Sequence, residues 1–286
     1  MIYIALSIFV ASLLFVVFKL FDVFKIDTLQ AIVVNYVFAF LVAVFVSDIH
    51  ISLQEIPSQP WFLGGVFLGF LFITVFQVMA ITAQKNGLSV ASIAGKMSVV
   101  IPIIFGIFWY KESVGVIKII GILLAVIAVY LASAKNDTGS VKTSSLVYPI
   151  LLFFGSGTID TTLKFVEKKY VPESNVPLFL ATIFGFAFVF GFLFLMYQVV
   201  IGKFKFQLKN LVAGFFLGIV NYYSMEFLLK AFKTDIESST LFTINNVGVV
   251  ILTTVFGVLL FKEKLIAKNW IGIAMAIVGI LLVSFS

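Results

Sequence analysis

Cysteine is absent from the 286 residues, and so is arginine: all 19 basic residues are lysine. The first absence excludes a disulfide framework and a thiolate metal site. The second excludes the bidentate guanidinium clamp that grips carboxylates and phosphates. There is one histidine, His50, in the polar stretch "SDIHISLQEIPSQP". No Ser/His/Asp set, HExxH motif or phosphate-cradling glycine loop accompanies it, so the inventory argues against an enzyme. No cofactor is implied, and the acids form no metal cluster. Charge itself is scarce. Asp, Glu, Lys and Arg make up 11% of the chain, where a soluble domain carries about a quarter. The net charge of +6 is spread over many short links and marks no nucleic-acid face.

What is present is apolar. Hydrophobic residues make up 62% of the chain, and the mean hydropathy is +1.20. A helix crosses a bilayer with ~20 such residues. That length gives ten spans, roughly 2–19, 29–46, 61–83, 88–110, 115–133, 146–164, 177–200, 208–230, 238–261 and 266–285. The runs are continuous rather than alternating, which argues against a β-barrel. The first lacks a basic leader and a small-residue cleavage site, and reads as a retained span rather than a signal peptide. Trp61, Trp109 and Trp270 fall at span ends, where an aromatic belt belongs. The longest polar link, "SAKNDTGSVKTSS", divides the chain into two sets of five spans. The expected fold is an all-α integral membrane protein of ten transmembrane helices.

The two halves read alike. "FGIFWYKESVGVIKIIGILLA" (105–125) matches "FGVLLFKEKLIAKNWIGIAMA" (256–276) at a constant spacing of 151 residues, as between Lys111 and Lys262. "GGVFLG" in span 3 mirrors "AGFFLG" in span 8, and Lys19 mirrors Lys164. Five spans is an odd number, so the second half must insert upside down. The expected organisation is two inverted five-helix repeats, 1–133 and 146–286, joined by a linker at 134–145. Inverted repeats are a construction of secondary transporters, which open to either side by exchanging the roles of their halves.

With its ten spans, its repeat and the Lys-Glu closures after spans 4 and 9, the chain resembles the EamA branch of the drug/metabolite transporter superfamily, of the ten-span bacterial type. "KMSVVIPIIFGIFWYKESVGVIKIIGILLA" and its echo "NNVGVVILTTVFGVLLFKEKLIAKNWIGI" carry most of the likeness. The resemblance implies a multi-pass protein of the bacterial inner membrane with both termini in the cytoplasm, and it favours export over import. The lysine bias among the short links points weakly the other way for the termini. The family moves amino acids, drugs, nucleotide-sugars, sugar phosphates and lipid-linked sugars, so it leaves the substrate open.

Polar groups inside spans nominate a site. Lys96 is the ninth residue of span 4, too deep for its stem to reach the surface. A cation there costs ~2.5–3.5 kcal/mol on insertion scales, so it has a partner: a structural ion pair, or an anionic substrate group. Two acids are candidates for coupling. Glu226 lies among Asn221, Tyr222, Tyr223 and Ser224, and Asp160 lies in "GSGTIDTTLK". Each has a lysine four residues on, Lys230 and Lys164, so each also reads as an ordinary helix-surface pair. Asn245 and Asn246 sit at mid-span 9, and the repeat places Asn246 opposite Gly95. They are either substrate ligands or interhelical glue. Gln77 lies near the repeat-equivalent of Glu226. Asn35, Tyr36 and Ser12 are weaker candidates. The glycine pairs Gly65/Gly69 and Gly214/Gly218 read as packing positions, and Pro102 as a kink.

The expected function is alternating-access transport of a small polar metabolite, singly anionic or zwitterionic and amino-acid-like. Lys96, Asn245, Asn246, Tyr222 and Gln77 would bind it. Glu226, and next Asp160, would couple it to protons as an exporter. The expected partners are substrate, lipids and protons, with the protein a monomer or homodimer. Two other readings stand beside it: a flippase-like carrier of a lipid-linked or hydrophobic compound, and a receptor or scaffold without turnover.

Overall fold

A computed structural model describes residues 2–46, 53–110, 115–134, 143–172, 175–232 and 238–284. His50, the Lys111–Glu112 closure and most of the linker lie outside them. Among the described residues the chain is helical, without strands. Its α-helices are α1 (Ile2–Val23), α2 (Thr28–Val46), α3 (Phe62–Asn86), α4 (Leu88–Met97), α5 (Val100–Tyr110), α6 (Val116–Ala132), α7 (Thr143–Tyr170), α8 (Val176–Val200), α9 (Leu208–Phe232), α10 (Ser238–Phe261) and α11 (Ala267–Ser284). Among the described residues, nine segments are long and apolar enough to cross a membrane, with α4 and α5 counted together. The tenth, α6, has 17 residues. At 1.5 Å per residue it reaches ~26 Å, the short end of a crossing. The helices α1 and α7 run past Lys19 and Lys164, where the spans were expected to end.

Span 4 is two half-helices rather than one kinked helix. Pro102 has no N–H to offer the Ser98 carbonyl four residues back. The Ile101 N–H takes that carbonyl instead, at 2.9 Å, and Ser98 Oγ donates to the Gly95 carbonyl at 2.6 Å. The tighter turn ends α4 at Met97, which puts Lys96 in the last turn of a half-helix. The end of a half-helix carries the negative end of its dipole, so the cation is placed where the backbone favours it.

The chain forms two compact units, each drawing on both halves of the sequence. The first holds Met1–Asp22, Val78–Thr158 and Tyr223–Ser286; the second holds Val23–Gln77 and Ile159–Tyr222.

In the first unit the most extensive packing joins α6 to α11, two helices equivalent in the repeat. Small residues set their distance. A Cβ at Gly121 would lie 2.6 Å from the Val283 side chain and 3.1 Å from the Gly279 carbonyl; one at Gly272 would lie 2.7 Å from the Ala132 nitrogen and 3.0 Å from the Ala128 carbonyl. Shifted by the repeat spacing of 151, positions 279, 283 and 272 become 128, 132 and 121. One contact is therefore the image of the other, as across a two-fold interface. Positions rise along α6 as they fall along α11, so the helices are antiparallel. The other equivalent pair, α4 and α10, is antiparallel as well: Ser92 meets Thr253, and Leu88 meets Glu263.

The second unit repeats the pattern with different residues. On α3, Gly65 faces Phe179 and Thr182, and Gly69 faces Phe186, all on α8. On α9, Gly214 faces Ala31 and Val34, and Gly218 faces Phe38, all on α2. The partners on α2 and α8 correspond one to one, at a constant spacing of 148 residues. Between α2 and α8 themselves, Phe40 packs on Gly185 and Val33 on Gly191, again antiparallel. The core of this unit gathers Trp61, Leu68, Val166, Leu178, Phe179 and Ile183.

Candidate functional site

The polar interior of the first unit is built on α1, α4, α9 and α10. Lys96 is half-buried. Four residues before it, Ser92 accepts a 2.7 Å hydrogen bond from Thr253 Oγ1, a fully buried link between equivalent helices. Near the start of α1, Ser7 Oγ donates to Asn245 Oδ1 at 3.1 Å, with the Ser224 carbonyl also in reach at 3.4 Å. All three residues are buried. Ser7 thus ties α1 to α10 through Asn245 and lies within reach of α9 through the Ser224 carbonyl. Asn246, next to Asn245, stays partly accessible. Ser12, a weaker candidate, is buried and donates within its own helix to the Ile8 carbonyl.

Glu226 forms an ion pair with Lys230, 2.6 Å apart, one helical turn on. The lysine is in the last turn of α9, where the dipole favours a cation. The glutamate side chain is 26% exposed and the lysine 45%.

In the second unit, Asn221 Nδ2 donates to Asn35 Oδ1 at 3.1 Å. Asn35 is fully buried, and its own Nδ2 meets no acceptor among the described residues. Tyr36, equally buried, donates from its hydroxyl to the Phe72 carbonyl at 2.9 Å and stacks on Phe184. Gln77 is half-buried, and its Oε1 meets no donor among the described residues. Tyr222 is half-buried; Asp160 and Lys164 are exposed. Of the sequence candidates, Lys96, Asn245, Asn246 and Glu226 therefore belong to one unit, and Gln77, Tyr222, Asp160, Asn35 and Tyr36 to the other.

Three polar features went unread in the sequence. Ser92 and Thr253 are ordinary span residues, and only the pairing of their helices makes them partners. Asn210 reaches Gln30 and the Asp27 backbone, while Asp27 Oδ1 accepts from the Gln30 N–H and so caps α2. Asn269 Nδ2 lies within reach of the carbonyls of Leu131, Ala132 and Ala134, closing the C-terminus of α6. The Asp-Thr-Leu-Gln start of α2 was a legible capping signal; the other two needed the fold.

The Lys-Glu closure after α10 has a defined geometry. Glu263 Oε1 accepts from the Leu88 N–H at 2.7 Å, and Oε2 lies 3.3 Å from Ser89 Oγ. The carboxylate thereby caps the N-terminus of α4, where a negative charge is favoured. Two glycines make room for it. A Cβ at Gly87 would come within 2.8 Å of the carboxylate, and one at Gly257 within 2.5 Å. Gly87 also holds φ +107, which only glycine adopts without strain.

The EamA-like transporter family matches this chain over residues 1–134 and again over residues 147–285. An uncharacterized protein of Haemophilus influenzae (strain Rd) is 28% identical over 261 residues, covering 88% of this chain and 86% of its own. A solved crystal structure superimposes with a TM-score of 0.56 at 13% identity, over 98% of this chain and 95% of that one. At that identity the likeness concerns the fold.

Proposed function

The chain belongs to the EamA-like transporter family, and from that premise we propose that it carries a small amino-acid-like metabolite, singly anionic or zwitterionic, by alternating access. It is a multi-pass membrane transporter; substrate, direction and coupling are our reading. The observation that carries it is the two-fold exchange of contacts within each unit. Equivalent helices packed antiparallel have two arrangements related by symmetry, and that equivalence underlies opening to either side in turn. Lys96, at the C-terminus of a broken half-helix, is assigned the substrate carboxylate. Asn246, partly accessible in the same unit, is assigned its polar groups. Asn245 is assigned to holding the helices. Glu226 is assigned to proton coupling with export, through exchange of its Lys230 partner for a proton, and Asp160 is the alternate acid.

The test is counterflow of a panel of radiolabelled amino acids in proteoliposomes. The wild type should exchange at least one of them, and Lys96→Met should exchange none while remaining folded. Exchange at wild-type rate by folded Lys96→Met removes Lys96 from the site. No exchange of any amino acid by the wild type removes the substrate class.

A further inference from the structure

At one end of the first unit lies a cavity of about 200 Å³ that the transport reading does not use. It is bounded by the ends of α1, α3 and α6, the start of α4 and the link between α10 and α11. All of these lie on the membrane face away from the chain termini, since α1 crosses once to reach it. Its lining carries three lysines, Lys19, Lys85 and Lys264, against a single acid, Glu263. That acid is already committed to the α4 N-terminus through Leu88 and Ser89. The α6 carbonyls at the rim are likewise taken up by Asn269.

Two of the three lysines are held rather than loose. Lys19 is half-buried and donates to the Gln84 carbonyl at 2.7 Å, while Gln84 Nε2 donates back to the Phe18 carbonyl. Lys85 donates to the Tyr148 hydroxyl at 3.1 Å and lies over that ring. Lys264 is exposed at the mouth. No carboxylate among the described residues pairs with Lys19 or Lys264. The pocket is thus a small, net-positive recess among helix ends, where spans of this length leave the hydrocarbon. Its volume is below the ~300–1,000 Å³ of pockets that engulf a whole metabolite. It suits one anionic group whose remainder stays outside.

We propose that this recess binds a phosphate group, as carried by the monoanionic phosphodiester of phosphatidylglycerol, with Lys19 and Lys264 as its principal counter-charges. Basic pockets between helix ends are a recurrent way for membrane proteins to hold anionic headgroups. The site shares no residue with the proposed transport site.

The thermal midpoint of the full chain is the readout, so failure of the transport reading leaves it untouched. Purified protein is compared in phosphatidylcholine vesicles, in vesicles containing phosphatidylglycerol, and in phosphatidylcholine vesicles with inorganic phosphate. The expected result is a higher midpoint with phosphatidylglycerol, a smaller shift in Lys264→Gln, no shift in the Lys19→Gln/Lys264→Gln pair, and retention of the shift in Lys264→Arg. An equal rise with inorganic phosphate, lost in the same variants, keeps the site and assigns it to soluble phosphate. A midpoint indifferent to both, or a shift undiminished in folded Lys264→Gln and in the pair, overturns the proposal.

Discussion

Single side chains carry the part of the account that concerns chemistry. A lysine inside a span was conspicuous in the sequence because hydrocarbon disfavours charge. The sequence did not disclose that Pro102 ends the helix just past Lys96 and lends it the negative end of a dipole. Replacing Lys96 by Met removes charge and desolvation cost together, so folding should survive while carboxylate recognition fails. Glu226→Gln separates the two readings of that acid. A coupling residue predicts loss of accumulation driven by a pH gradient, with substrate exchange retained, because exchange needs no net proton movement. Accumulation unchanged in that variant leaves Glu226 a partner of Lys230 and shifts the coupling role to Asp160. The asparagine pair shows where reading by residue type stops. Asn245 and Asn246 are neighbours of one type, and helical geometry alone turns the first toward Ser7 and leaves the second partly accessible.

Helices and links were the most legible level, because a hydrophobic run of span length has one physical meaning in a chain this poor in charge. The break at Ser98–Val99 was foreshadowed by Pro102 but read as a bend. The Lys-Glu closure was legible as a motif and silent about its partner, since nothing local says that Glu263 reaches the start of α4. Its loss should be measurable. Glu263→Ala removes a charged cap and should cost about 1–2 kcal/mol, read as a lower melting point in detergent. Glycines provide an internal comparison at this scale. Alanine at Gly121 or Gly272 drives a methyl into the facing helix and should cost about 1–3 kcal/mol at either site. Gly95 has open space where its Cβ would stand, so Gly95→Ala should be neutral or stabilising by up to ~1 kcal/mol. Equal melting of all three variants would remove the close α6–α11 approach from the account.

The whole molecule is organised by a symmetry that appears twice in the sequence and again, independently, in each compact unit. A spacing of 151 residues maps Gly121 and its partners onto Gly272 and its partners, and a spacing of 148 maps the α2 contacts of α9 onto the α8 contacts of α3. Coincidence in one helix pair would be unremarkable; correspondence in both units requires the halves to be copies whose contacts exchange by a two-fold. Helices related this way cross the membrane in opposite directions. The most direct test uses the absence of native cysteine. Gly115→Cys stands before α6, and Lys268→Cys stands in the first turn of its repeat equivalent, α11; both positions are exposed. A membrane-impermeant maleimide applied to intact cells stripped of the outer membrane should label one of the two at once and the other only after permeabilisation. Labelling of both from the same side would contradict the inverted repeat, and with it the alternating-access mechanism proposed for this chain.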